Sequence, residues 1–402
     1  MATTTRAVDP AHREAGGAPG LPTLSVLLLG STLTVMAGAL LSPVLALIRD
    51  DLLVSDTAAG LILTVHGLTI ALASPATGWL IDRFGVRSTL AAGLVLYGIA
   101  GGAGLAGIPY SALLVSRLVF GIGAAAVFTG TTVALLSLYT GSQRDRVMGW
   151  RGTAISLGGL VWPLLGGALG ALSWRAPFGV YLLGVPLGLA ALLLLPGSRP
   201  VEAPQVRGDG ALAQLRRRPV IVGYYALFAV GAVLLYAVLV FLPLRLSEVG
   251  VDDPLLVAVY SSGLSATMSL VGLVYGRVRT TLGYRGLLRA AYTSFVAAFL
   301  LLGTSDQVAL LALAAAVLGV GMGISIPALT VLTADAAPAS VRGQITSLLA
   351  TATFLGQFAS PLLLGPLVDA TSVSTGFLAA GATSGIVLMV LLLARGTRPP
   401  DL

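Results

Sequence analysis

The chain contains no cysteine, no lysine and only two histidines among its 402 residues, and charged residues make up 10% of it. Without cysteine it can form no disulfide, no thiol nucleophile and no cysteine-ligated metal site, and two histidines are too few for a typical zinc site. We therefore expect neither a metal nor a cofactor. The low charge also excludes an ordinary soluble domain, whose surface needs many charged side chains.

Long apolar segments take up most of the chain, which is 56% hydrophobic. Each is roughly 18–25 residues long, enough for a helix to cross a bilayer core of about 30 Å. In lipid the backbone must satisfy its own hydrogen bonds, so segments of this length are helices and not strands. The sequence predicts an all-α membrane protein with twelve transmembrane helices at 24–48, 58–81, 89–108, 111–139, 148–171, 178–195, 219–244, 255–276, 287–304, 308–333, 344–368 and 375–394.

An internal repeat joins the two halves of the chain. The sequence GWLIDRFGVRST at 78–89 returns in weaker form as GRVRTTLGYRGL at 276–287, an offset of 198 residues. The same offset carries several glycine and proline positions of the first half onto the second, which predicts two pseudo-symmetric six-helix bundles. The predicted organisation is a disordered cytoplasmic tail 1–22, a bundle 23–195, a cytoplasmic linker 196–218, a second bundle 219–394 and a cytoplasmic tail 395–402.

The basic residues, all 23 of them arginine, are distributed unequally between the two sides of the predicted helices. Nineteen lie on the side that holds both termini, and only Arg49, Arg175 and Arg245 lie on the other side. Positively charged loops stay in the cytoplasm, so both termini are predicted to be cytoplasmic. The arginines are scattered over short loops and form no basic face, which excludes nucleic acid as a partner.

The charged loop at 78–87, GWLIDRFGVR, resembles the hallmark loop of the major facilitator superfamily, a family of transporters with twelve helices in two halves. It departs from that pattern at Val86, and the second copy has Thr280 where the acid would stand. The resemblance implies that Asp82 holds the opposite half when the transporter faces outward and releases it when it faces inward. The alternative is a loop that only sets topology. The predicted gating residues are Gly78, Asp82, Arg83, Gly85, Arg87, Gly276, Gly283 and Arg285.

Three ionisable residues are candidates for energy coupling. Arg117 lies inside a predicted helix, where burial of its charge is costly, and SRLVFG resembles a motif of proton-coupled members of the family. It could couple protons, bind an anionic substrate, or hold shape by bonding carbonyls of helix 1. His66, in helix 2, has an ordinary pKa suited to a proton switch, although a lone histidine is often a packing residue. Asp335, at the inner end of helix 10, completes the coupling set.

Helix 5 contains a glycine- and proline-rich sequence that resembles the antiporter motif of drug-exporting members. The motif residues Gly158, Pro163, Gly166 and Gly167 are present, whereas Trp162 stands where the central glycine is usual. Glycine and proline allow a bend and a close helix contact, and such helices occur in transporters of many kinds. We interpret these four residues as the helix-5 hinge, and the motif favours export over import.

The polar and aromatic residues of the central helices outline a mostly uncharged cavity. Such a wall suits an amphipathic or weakly polar organic compound. The predicted substrate-binding residues are Met36, Phe128, Trp162, Tyr224, Phe228, Tyr236, Tyr260, Phe354 and Gln357.

Taken together, these features predict a monomeric secondary active transporter in the inner membrane. It would export small organic compounds by alternating access, with protons as the coupling ion. One alternative is uptake of a small organic anion through Arg117, and another is a receptor without transport. A membrane-embedded enzyme or an ATP-driven pump is not supported, because the sequence has no HExxH, no GxSxG and no GxxxxGK[ST] motif.

Overall fold

The computed structural model describes residues 20–197, 215–338 and 342–393, and the regular secondary structure in these ranges is helical. Most of the two predicted tails and of the linker lies outside the described residues. The helices are α1 Leu21–Leu52, α2 Asp56–Phe84, α3 Val86–Ala106, α4 Tyr110–Leu138, α5 Gly141–Gly170, α6 Ala176–Leu194, α7 Pro219–Glu248, α8 and α9 together as Pro254–Thr304, α10 Val308–Ala336, α11 Arg342–Ala370 and α12 Val373–Leu393.

The predicted all-α fold of twelve membrane helices is confirmed. In the described ranges there are 11 continuous helices long and apolar enough to span a membrane, because α8 (254–282) and α9 (284–304) are interrupted only at Gly283. Several helices extend beyond their predicted ends. Hydropathy marks only the lipid-immersed part of a helix, whereas helical hydrogen bonding continues into polar flanking residues.

Two of these extensions change the predicted boundaries. Helix α1 begins at Leu21, inside the predicted tail, with Pro22 in its first turn, where proline is favoured. Helix α5 begins at Gly141 and not at the predicted 148, so that Arg151 lies well inside a helix and not in a loop.

The tight turns after α2 and α8 are equivalent in the two halves. Gly85 has φ of 82° and Gly283 has φ of 62°, values at which a side chain is strained and glycine is favoured. The next helix begins directly after each of these glycines, so the turn is a single residue in each half.

The packing of α4 on its neighbours repeats in α10 with the same offset of 198 residues. A Cβ atom added to Gly121 would lie 2.6 Å from the carbonyl oxygen of His66, and one added to Gly319 would lie 2.5 Å from that of Leu264. Similarly, Gly123 lies against Tyr97 and Gly321 against Phe295. The two halves therefore share their helix packing as well as their sequence pattern.

These glycine contacts give a prediction about stability. Gly121→Val is expected to lower the free energy of unfolding by about 1–3 kcal/mol, because the new side chain cannot fit between α4 and α2. Gly149→Val is the matched control, since a Cβ atom there would meet nothing within 4 Å. Thermal unfolding of the purified protein in detergent measures both variants. Equal unfolding temperatures for the two variants would contradict the close packing of α4 on α2.

The turns after the odd-numbered helices form one end of the bundle, which we call the arginine-poor end. The two halves pack against each other near this end. There the Thr57 amide and hydroxyl donate hydrogen bonds of 3.2 and 2.5 Å to the Asp369 carboxylate. The Ser42 hydroxyl donates to the Leu239 carbonyl at 2.6 Å, beside the 3-10 turn that interrupts α1.

The helix pairs at this interface are α2 with α11 and α5 with α8. Gly365 of α11 lies against Thr57 of α2, and Gly167 of α5 lies against Leu255 of α8. These two contacts are equivalent under the same sequence offset. The seal between the halves therefore follows the pseudo-symmetry of the repeat.

At the other end of the bundle, which we call the terminal end, glycines of both halves have open space beside them. A Cβ atom added to Gly78, Gly149, Gly272 or Gly276 would meet nothing within 4 Å. Gly78, one of the predicted gating residues, therefore has no close helix contact in this arrangement, because nothing in the described chain lies beside it.

Candidate functional site

A buried hydrogen bond between His66 of α2 and Gln357 of α11 joins the two halves. The His66 Nε2 and Gln357 Nε2 atoms are 3.0 Å apart, and the two residues are only 1% and 2% exposed. An amide nitrogen can only donate, so with this amide orientation His66 Nε2 accepts and the proton of the neutral ring is on Nδ1. Nδ1 itself is buried and has no hydrogen-bond partner.

The surroundings of His66 contain one charged group on α4. The His66 ring meets the Phe120 ring edge to face, with centroids 5.5 Å apart. The Arg117 guanidinium lies over the same Phe120 ring, 4.6 Å from its centroid, and its positive charge acts on the imidazole. From α11, Gln357 and the backbone of Phe354 bring no charge. A second positive charge on His66 would therefore be repelled by Arg117 and would have no counter-ion from α11.

Arg117 is fully enclosed within the first half. It is 0% exposed, donates a hydrogen bond to the Gly101 carbonyl of α3, and lies over the rings of Phe120, Phe178 and Tyr181 at 4.6 to 5.1 Å. The predicted hydrogen bond from Arg117 to carbonyls of helix 1 is wrong, because the acceptor lies on α3. Helix α1 is reached instead by the Tyr181 hydroxyl, which donates to the Ala37 carbonyl at 3.0 Å.

Arg151, one of the nineteen arginines predicted on the side of the termini, is a second basic residue inside a membrane helix. Its residue is half-buried, and its guanidinium carbon lies 5.8 Å from the Phe128 ring centroid. Its Nε and Nη2 atoms are buried and have no hydrogen-bond partner. The predicted span 148–171 already included Arg151, which was the available signal that it is not a loop residue.

The predicted substrate-binding residues divide into an accessible and a buried group. Phe128 of α4 and Phe354 of α11 meet across the two halves, with ring centroids 5.5 Å apart and an interplanar angle of 87°. Trp162 is half-buried and donates its indole N–H to the Thr32 carbonyl at 3.0 Å. The half-buried members are Phe128, Trp162, Tyr224, Phe228, Tyr236 and Phe354, whereas Met36, Tyr260 and Gln357 are buried.

The buried residues Met36, Tyr260 and Gln357 do not line a cavity in this arrangement. For these three the prediction that they face a substrate cavity is therefore wrong. Met36 is 0% exposed because α1 packs on α6 at this level, where the Tyr181 hydroxyl is also within 3.4 Å of the Met36 carbonyl oxygen. Gln357 is engaged by His66. Phe228 and Tyr236 line a small cleft of about 50 Å³ between α7, α9, α10 and α11, together with Met322, Ser325 and their neighbours.

The predicted gating residues of the first loop lie near the terminal end and differ in exposure: Gly85 is buried, and Gly78 and Arg87 are half-buried. Asp82 is exposed, and the Arg83 guanidinium lies over the Trp79 and Phe84 rings at 5.4 and 5.6 Å. Asp335, predicted as a coupling residue, is also exposed, in the last turn of α10. It therefore does not lie at the depth of His66 or Arg117.

The helix-5 residues predicted as a hinge form contacts on two sides of α5. Pro163 lies within the helix, Gly166 lies against the Leu40 backbone of α1, and Gly167 lies against Pro254 and Ala258 of α8. Gly158 is placed against Thr32 of α1. Three of the four residues thus allow a close approach, and Gly167 allows it between the halves.

The three arginines of the arginine-poor end are all in ion pairs. Arg49 pairs with Asp50 and Asp56 at 2.8 and 2.9 Å. Arg175 pairs with Asp51 at 3.3 Å, and Arg245 pairs with Glu248 and Asp306. Arg49–Asp50 and Arg245–Glu248 lie within one helix, whereas the other three pairs and the Thr57–Asp369 contact join separate elements and were not anticipated from the sequence.

No group of three or more histidine or acidic side chains in the described part of the chain is arranged to hold a metal ion. The ionisable residues at membrane depth are instead His66, Arg117 and Arg151, of which the first two share the Phe120 ring.

The fold and site define a multi-pass helical membrane protein made of two related six-helix bundles that meet around a central interface. The family model of the Major Facilitator Superfamily matches residues 27–305 and 253–402, and the chain belongs to this family. It is therefore a membrane transporter and not an enzyme.

Similar proteins with known names include two from Bacillus subtilis (strain 168). The chain is 26% identical to Multidrug efflux protein YfmO over 369 residues, which cover 90% of each protein. It is 30% identical to Multidrug resistance protein 1 over 156 residues, which are 39% of this chain and only 40% of that relative. The longer match extends the similarity to efflux proteins over both halves.

Solved structures share the fold at low sequence identity. A peptide transporter, POT, has a TM-score of 0.76 and 16% identity, with 96% of this chain and 98% of that chain covered. A bacterial homologue of the human lysosomal transporter Spinster, in an inward-facing and unoccupied conformation, has a TM-score of 0.70 and 17% identity, with 92% and 94% covered. These likenesses concern the fold alone.

Proposed function

We propose that this transporter exports small amphipathic organic compounds by alternating access, driven by proton antiport. The observation that carries the proposal is the unequal packing at the two ends: hydrogen bonds join the halves at the arginine-poor end, whereas glycines of both halves have open space beside them at the terminal end. One sealed end and one open end are what an alternating-access transporter requires of each of its states. Both relatives described above have names that refer to multidrug efflux or resistance.

The distribution of arginine supports an orientation in the inner membrane with both termini in the cytoplasm. By the sequence, eighteen arginines other than Arg151 are predicted on the side that holds both termini. The three at the arginine-poor end are paired with acids, so that end presents little free positive charge. In this orientation the terminal end would face the cytoplasm, from which an exported compound would enter.

The proposed coupling residue is His66. Protonation of Nε2 removes the acceptor for the Gln357 amide, so the amide must rotate or the halves must separate. The added charge would be buried beside Arg117 and without a counter-ion, which disfavours the sealed interface. Proton binding to His66 from the outside would thus disfavour the state in which the His66–Gln357 interface is sealed.

The uptake of a small anion through Arg117 gains no support from its surroundings. Its guanidinium is enclosed by three aromatic rings and is 0% exposed, so an anion in the central space cannot reach it in this arrangement.

Transport in proteoliposomes with an imposed pH gradient tests the proposed function. The purified monomer should accumulate a neutral or cationic dye against its gradient when the opposite compartment supplies protons, and a protonophore should abolish the accumulation. Dye movement that is equal with and without the pH gradient would contradict proton antiport.

His66→Gln gives a sharper prediction for the coupling step. Transport driven by the pH gradient should fall about tenfold or more, within the usual effect of a lost proton-transfer group, while downhill dye exchange persists. Gln357→Leu is the comparison, because it removes the hydrogen bond but keeps the titratable ring. If His66→Gln retains the pH dependence of the natural protein, His66 takes no part in coupling.

A further inference from the structure

Arg151 lies at a depth where a charged group needs a partner. It is ten residues into α5, which starts at Gly141. At 1.5 Å per residue this is about 15 Å along the helix from its first residue, and the predicted apolar span 148–171 includes it. A basic residue inside a membrane span usually faces a water-filled space and marks a binding or conduction pathway.

The residues around Arg151 do not supply a counter-ion. Helix α4, which provides the neighbouring Phe128 ring, contains neither aspartate nor glutamate. Two of the guanidinium nitrogens are buried and have no hydrogen-bond partner, yet the residue as a whole is only half-buried. Three features thus coincide, namely a charge, two unsatisfied donors and a side chain that is only half-buried.

Arg151 also adjoins an aromatic contact between the two halves. Its guanidinium lies beside Phe128, and Phe128 meets Phe354 of α11 edge to face. A ligand that approaches Arg151 therefore also meets an aromatic surface that contains one ring from each half. Arg117 also has two buried nitrogens without a partner, but it is fully enclosed, donates to a carbonyl and lies within one half.

We propose that Arg151, Phe128 and Phe354 form a substrate subsite for the carboxylate or similar oxyanion of an amphipathic aromatic compound. This inference rests on the proposed function and assigns a substrate class to it. The guanidinium would donate its Nε and Nη2 hydrogens to two oxygens of the anion in the fork geometry that arginine favours. The apolar body of the ligand would stack on the two phenylalanine rings.

Binding of a matched pair of fluorescent compounds tests the subsite. Dansylglycine carries a carboxylate, and dansylglycinamide has the same aromatic body without the charge. We expect the purified protein in detergent to bind dansylglycine more tightly, as measured by fluorescence anisotropy. Arg151→Gln should weaken dansylglycine about tenfold or more, the scale of a hydrogen bond to a charged group, and leave the amide nearly unchanged.

Three further variants separate the subsite from general effects. Arg151→Lys should keep part of the preference for the anion, because the charge remains while the fork is lost. Phe128→Leu should weaken both compounds similarly. Arg144→Gln removes an exposed arginine near the start of the same helix and should change neither. Unfolding temperatures show which variants are folded.

Several outcomes would overturn the inference. It fails if Arg151→Gln and the natural protein bind dansylglycine equally, if Arg144→Gln weakens it as much, or if the natural protein binds neither compound. Transport of a neutral or cationic dye by the same preparations is an independent readout. Dye export without anion binding would retain the proposed function and reject the subsite. Anion binding without any export would retain the subsite and reject the proposed function.

Discussion

Asp82→Asn is expected to lower transport about tenfold while the amount of folded, membrane-inserted protein stays unchanged. Helices α2 and α11 pair along the interface, and α11 begins at Arg342 at the same end as Asp82. When the terminal end closes, the exposed carboxylate can approach the positive N-terminus of α11, an interaction of up to about 2 kcal/mol. Asparagine lacks the charge, so the closed state would lose about 1.4 kcal/mol of stability. This free energy corresponds to a tenfold change in the population of that state.

The absence of cysteine makes this effect directly measurable. Cysteines introduced at Gly149 and Gly272, which lie in opposite halves and have open space beside them, can carry spin labels without background labelling. In the natural background we expect a long and a short inter-label distance, and in Asp82→Asn mainly the long one. Asp145→Asn is the control, because Asp145 is an exposed acid at the same end. Normal transport and both distances in Asp82→Asn would leave the loop with a topological role only.

Much of the fold could be predicted from the sequence, because two of its determinants are local. Apolar length decides which segments cross the bilayer, and the repeat decides which helices are equivalent. The offset that pairs Gly121 with Gly319 in the sequence also pairs their contacts with His66 and Leu264 in the structure. Small residues at repeated positions thus carried information about tertiary packing.

The candidate site was less predictable, because its features depend on partners from other helices. The charge of Arg117 indicated a need for compensation, but nothing local indicated that α3 and three aromatic rings would supply it. Arg151 lies at the edge of the predicted span 148–171 and counts with the arginines of the terminal side by sequence alone, whereas α5 continues to Gly141. Gly78 illustrates a further limit on prediction, because no helix lies beside it in this arrangement. One sequence serves two conformations, and it does not reveal which contacts form in each of them.

Arg117→Ala is expected to lower the free energy of unfolding by about 2–5 kcal/mol, the range for large buried side chains, because it leaves a cavity between three aromatic rings. Arg117→Met should recover much of this loss, since an apolar side chain of similar volume fills the space without a buried charge. Thermal unfolding in detergent compares the two, and an Ala variant as stable as the natural protein would contradict a packing role. Transport by the Met variant then separates two roles: activity identifies Arg117 as a structural brace, whereas a stable but inactive variant shows that its charge, shared with His66 through Phe120, takes part in the transport cycle.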